Sequence, residues 1–168
     1  RSGAPVGEHA IGDLFEAIPA SATAYFRGPD LATGIGGKLR DALWPEHGPT
    51  AGRRLAKQVG GEPELTERVL SDVARVAGFV GEAGPRAPTP DVAVIVQFRQ
   101  RAAVEELLHA AKGRPLEDGI ITFDTPKQRV FAHWSPANRV LILSPNLDTL
   151  KGALAAARGT APRLTIEA

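Results

Sequence analysis

The chain has 168 residues, 43% of them hydrophobic, and a formal charge of +1. That composition excludes disorder throughout and leaves no overall field to draw nucleic acid or an anionic membrane. With no cysteine, disulfides, thiolate nucleophiles and cysteine-based zinc sites are excluded as well. Methionine is also absent, position 1 included, which points to an excised or processed piece of a longer protein. No apolar run approaches the roughly 20 residues that span a bilayer, so any membrane anchor of the parent chain lies outside this piece.

Residues 1–8 are small and polar and are expected to be disordered. Ile11, Leu14, Phe15 and Ile18 share a helical face, and Pro19 stops that helix. Thr23 to Arg27 reads as a short strand closed by Gly28-Pro29. Residues 29–90 are expected to form a helical flank or insertion. Within it, helices are predicted over Ile35 to Leu43, Ala51 to Val59 and Pro63 to Val80. The last carries the stripe Leu65, Val69, Leu70, Val73, Val76, Ala77, Val80. Gly81 to Pro90 is a loop.

Residues 91–159 are the predicted core: a strand, a helix, three strands and a helix. Val92 to Val96 alternates little, which predicts a strand covered on both faces or central in the sheet. Ala102 to Ala111 is a helix, with Gly113 placed to take the left-handed conformation after it. Gly119 to Phe123, Arg129 to Trp134 and Arg139 to Leu143 form an antiparallel meander. Ser144-Pro145 reads as N-cap and first residue of a helix closing at Gly159, with Leu147, Leu150, Leu154 and Ala157 inward. Leu164 to Ile166 is a candidate last strand. The whole is read as one α+β domain. Its largely antiparallel sheet is expected to have four or five strands, with helices packed mainly on one face.

The motifs that carry chemistry fail on spacing. Thr33 to Leu39 looks like a phosphate loop, but the required glycine and hydroxyl positions hold Ala32 and Leu39. Among His9, His47, His109 and His133, no two have helical metal-ligand spacing. Ser135 and Ser144 both precede proline and lack the glycine-flanked context of a serine nucleophile. Asp118, Asp124 and His133 are the residues a hydrolase would use, and strand-end aspartates are commonly turn formers. Arg53, Arg54 and Lys57 lack interleaved aromatics for stacking bases, so they read as a solvated face. No catalytic set, metal or cofactor is expected, nor a nucleic-acid partner. The candidate ligand or partner surface comprises Phe131, His133 and Trp134 on one strand with Lys127 and Arg129 at the neighbouring turn.

Ile18-Pro19-Ala20-Ser21-Ala22-Thr23-Ala24-Tyr25-Phe26 resembles the opening of a large bacterial family of extracytoplasmic proteins, known only as a domain of unknown function. That opening is "Leu/Ile-Pro-Ala-x-x-x-Ala-Tyr". The order of apolar strands and helices from Val92 to Leu150 is similar too. The resemblance implies an extracytoplasmic location, in the periplasm or cell envelope, and a non-enzymatic role through protein contacts. The alternative reading is a small-ligand or lipid-binding domain that uses an open sheet face.

Overall fold

The run Val92–Phe98 is apolar on both sides of its pleat, and it becomes the third strand of seven. In the computed structural model, residues 13–28, 53, 56, 57 and 61–165 are described. They form, in order, a 3-10 turn (Leu14–Ala17), β1 (Ala24–Arg27), α1 (Pro63–Ser71), β2 (Val73–Val80), β3 (Val92–Phe98) and α2 (Ala102–Ala110). Then follow β4 (Arg114–Pro115), a second 3-10 turn (Glu117–Gly119), β5 (Ile120–Asp124), β6 (Arg129–Ser135), β7 (Val140–Ser144) and α3 (Leu147–Ala157). Among the described residues no helix is long and apolar enough to cross a membrane.

The strand order is β1-β2-β3-β7-β6-β5-β4, and every pairing is antiparallel. The fold is α+β, with more strands than the four or five expected. Two of them lay outside the predicted set. One is the two-residue β4; the other is β2, inside the expected helical flank. The stripe over Pro63 to Val80 divides at Asp72: helix before it, strand after it. The Asp72 carboxylate accepts the Gln100 amide at 2.8 Å and faces the Arg99 guanidinium at 3.5 Å, which fixes the switch point against the end of β3.

Helices cover both faces, not mainly one. Alternation in β3 sends Ala93 and Ile95 to one side, where Ile142, Ile120 and Phe79 meet Leu150 and Leu154 of α3 and Leu14 of the first 3-10 turn. Val94, Val96 and Phe98 point the other way. There Phe98, Leu141 and Ala132 pack with Leu65 and Val69 of α1 and Val104 of α2. Ile95, Ile142, Ile120 and Val104 are fully buried, so two cores share one sheet.

Two caps differ from expectation. The N-cap of α3 is Asn146, whose side chain accepts the amides of Asp148 and Thr149. Ser144 is buried instead: its hydroxyl donates to the Val92 carbonyl at 2.7 Å and accepts the Asn146 amide at 3.0 Å. After α2 it is Lys112, not Gly113, that takes positive φ, at 49°. Gly159 closes α3 with φ 70°, as its position predicts. The first predicted helix is a 3-10 turn over its described part, and the candidate last strand, Leu164 to Ile166, is not a strand at its described residues Leu164 and Thr165; an isolated bridge joins Pro19 to Arg163 just before it. Arg53, Ala56 and Lys57 are helical, with Ala56 buried. The expected disorder over 1–8, the Ile35 to Leu43 helix and the glycine-rich stretch at 34–37 lie outside the described residues.

Candidate interaction surface

The five residues expected to form one surface do not meet. Phe131 and His133 lie on the α3 side of β6, and Phe131 packs on the core there. Trp134, one residue on, points to the opposite side. Its ring stands edge-on to Phe98 with centroids 6.1 Å apart, and its Nε1 donates to Glu105 Oε1 at 3.4 Å. Lys127 and Arg129 sit at the β5–β6 turn, where Thr125 organises the backbone through Oγ1. Arg129 is already engaged: its Nε donates to Asp124 at 3.0 Å, and Arg114 reaches the same carboxylate at 3.1 Å. The hydrogen bond from Arg129 lowers the Asp124 pKa; desolvation opposes it, and the charges of Arg129 and Arg114 add to the lowering. This turn is a solvated ion cluster, separate from the aromatic pair.

The hydrolase set is also dispersed. Asp118 precedes β5 and Asp124 ends it, so a strand of roughly 13 Å lies between them. His133 pairs with Ile120, at the end far from Asp124. Asp118 has φ 59° and its carbonyl receives Arg158. Among the described residues, no group of three histidine or acidic side chains is arranged to hold a metal ion.

The two edges of the sheet contrast. The β4 edge is two residues long and contains Pro115, which has no amide to offer, so it is blunted. At the other edge all four residues of β1 are exposed, with Tyr25 at 48% and Phe26 at 49%. Among the described residues no strand lies beyond it. Tyr25 and Arg27 point to the α3 side, where both use Phe15: the Tyr25 ring meets it edge-on at 5.7 Å, and the Arg27 guanidinium lies 5.2 Å from its centroid. Phe26 lies on the other side, across Gly78 of β2. The signal in sequence was the strand reading itself, Thr23 to Arg27 with two adjacent aromatics. Its place at an edge depends on pairings distant in the chain.

A groove of about 600 Å³ adjoins the segment that leads into β1. Pro19, Phe79 and Pro162 form apolar walls, and Glu82, Asp91 and Asp148 supply carboxylates. Asp91 is the best held of these. One of its oxygens accepts the Thr149 hydroxyl at 2.5 Å and the other the Ala83 amide at 3.0 Å.

No family model, curated protein or solved structure matches this chain. The functional reading rests on the residues themselves.

Proposed function

We propose that the protein is a non-catalytic interaction module that takes an extended segment of a protein partner onto the edge formed by β1. The carrying observation is the asymmetry of the two edges: one blunted by proline, the other bearing two half-exposed aromatics with no strand beyond it among the described residues. An open edge presents backbone donors and acceptors in register for another strand, and flanking side chains supply specificity. The setting proposed with it is the bacterial cell envelope, supported by the resemblance of the Ile18 to Phe26 stretch. A library of short extended peptides tests the reading, with amide exchange as readout. Bound peptides are expected to slow exchange at Tyr25 and Arg27. Binding that leaves those amides unprotected, or that survives Tyr25→Pro, overturns it, as does a library with no binder.

The groove favours a second reading, a small cationic ligand with an apolar body. Its carboxylates and its walls of proline and phenylalanine supply the two complementary features. Because α1, α2 and α3 pack on both faces of the sheet, this reading takes the ligand in the groove and not on an open sheet face. An amine panel in a thermal-shift assay tests it: a true ligand at 100 times its dissociation constant adds about 2.7 kcal/mol.

A further inference from the structure

The β1 edge is complementary to itself. The Gly28 amide donates to the Val76 carbonyl at 2.8 Å, which places position 28 among the bonded pairs of the β1–β2 ladder. Ala24 and Phe26, opposite Val80 and Gly78, share that phase. In an antiparallel ladder the intervening residues turn their backbone groups away. Tyr25 and Arg27 therefore aim their amides and carbonyls outward. Any strand added to β1 must bond to these two residues.

We propose that the added strand is β1 of a second copy, docked antiparallel about a two-fold axis that passes by Phe26. This inference rests on the open-edge reading of β1 and names its partner. In this register Tyr25 lies opposite the partner's Arg27, and Arg27 opposite the partner's Tyr25. Each pair exchanges both of its backbone bonds, about four in all. The axis repeats every contact, as a closed two-fold interface requires. On the α3 side, each Arg27 guanidinium already lies over Phe15, and the partner's Tyr25 brings a second ring to it. On the other side, Phe26 faces the partner's Phe26 as a close, non-bonded cross-strand pair. A formal charge of +1 lets two copies meet without strong repulsion. The strand has only four residues, so the interface is smaller than that of a stable dimer and the association is weak.

Sedimentation equilibrium from micromolar to millimolar protein tests the proposal. The mass of the unaltered chain is expected to rise toward that of a dimer. Phe26→Asp and Tyr25→Pro are expected to stay monomeric, with unchanged circular dichroism. Because the chain has no cysteine, single cysteines read the register directly. Phe26→Cys places two α-carbons about 4.5 Å apart across the axis, within disulfide range. It is expected to cross-link on mild oxidation, whereas Leu116→Cys beside the opposite edge is not. A dimer that survives Phe26→Asp overturns the proposal, as does equal cross-linking of both cysteine variants. A chain monomeric throughout overturns it too. If that monomer still protects Tyr25 and Arg27 on binding a peptide, the open-edge reading stands without self-pairing; if it binds none, both fall.

Discussion

The ring of Phe26 lies across Gly78, in the space that a side chain on Gly78 would occupy. A Cβ built there would come within 2.5 Å of Phe26 Cζ and 2.6 Å of the Ala93 carbonyl oxygen. The glycine is what lets an aromatic side chain at an exposed edge lie flat on the neighbouring strand. Gly78→Ala is therefore expected to destabilise the fold by about 1–3 kcal/mol. The carbonyl is backbone and cannot yield, so Phe26→Ala on that background should recover only part of the loss. Denaturant unfolding of the two single variants and the double variant gives the coupling between the sites. Equal stability of Gly78→Ala and the unaltered chain would refute this packing.

The junction between β7 and α3 depends on two residues with different tasks. Ser144 is buried and bonds in two directions, to the Val92 carbonyl and from the Asn146 amide. Removing its hydroxyl leaves the part-buried Val92 carbonyl without this donor, so Ser144→Ala should cost about 1–3 kcal/mol. Asn146→Ala removes the cap of a single helix and should cost about 1 kcal/mol. Unfolding by denaturant separates them: the serine variant is expected to be the weaker of the two. The reverse order would show that the Asn146 cap contributes more than the two bonds of Ser144.

Much of the back half was legible because its strands carry long apolar runs between clear turns, and β3 read as central for that reason. The reading failed at β2 for a related cause. Val73, Val76, Ala77 and Val80 continue the 3.6-residue stripe of α1, so periodicity alone extends the helix. A strand buried on both faces has no alternation to oppose that reading. The contrary signal was composition, since Val73 to Val80 is rich in valine, with Phe79 and a mid-element glycine. The side preference within β6 was also accessible, since period two separates Trp134 from Phe131 and His133. Strand order was not accessible. β1 is an edge because β7 returns to pair with β3, and no local pattern announces that pairing.

The ion clusters give the molecule a defined pH response. The Arg129 hydrogen bond depresses the Asp124 pKa, and the Lys151 hydrogen bond depresses that of Glu117. A carboxylate depressed in the folded state adds stability above its unfolded pKa and loses it as pH falls through the folded value. Both contributions should therefore fade in acid, below about pH 4. Lys151 is raised by the hydrogen bond from its ammonium to Glu117, so its contribution is complete below its unfolded pKa and lost as pH climbs through the raised value. All three groups are exposed, so the effects are small and screened by salt. Carboxyl chemical shifts should show Asp124 and Glu117 titrating below ordinary aspartate and glutamate. Arg129→Ala should return Asp124 toward its usual value and leave Glu117 unmoved. A shift of Glu117 in that variant would mean that the clusters are linked.

Asp91 ties the β2–β3 loop to α3, and the acidic groove depends on that tie. Its carboxylate holds the Thr149 hydroxyl on one side and the Ala83 amide on the other. Gly81 leaves room for it, since a Cβ there would overlap the carboxylate. Asp91→Asn keeps the shape, but one of its two positions becomes a donor. If that amide group faces Ala83, the loop is repelled; if it faces Thr149, the hydroxyl must reverse. Asp91→Ala removes both contacts. Hydrogen exchange at the Ala83 amide should therefore accelerate strongly in Asp91→Ala and less in Asp91→Asn, while core amides such as that of Ile95 keep their protection. The loss in global stability should be about 1–3 kcal/mol for Asp91→Ala, the cost of a charged hydrogen-bonding group removed from a half-buried position. Gly81→Ala should reproduce the loosening by pushing the carboxylate aside. Slow exchange at Ala83 in all three variants would show that the loop is held by something other than this carboxylate.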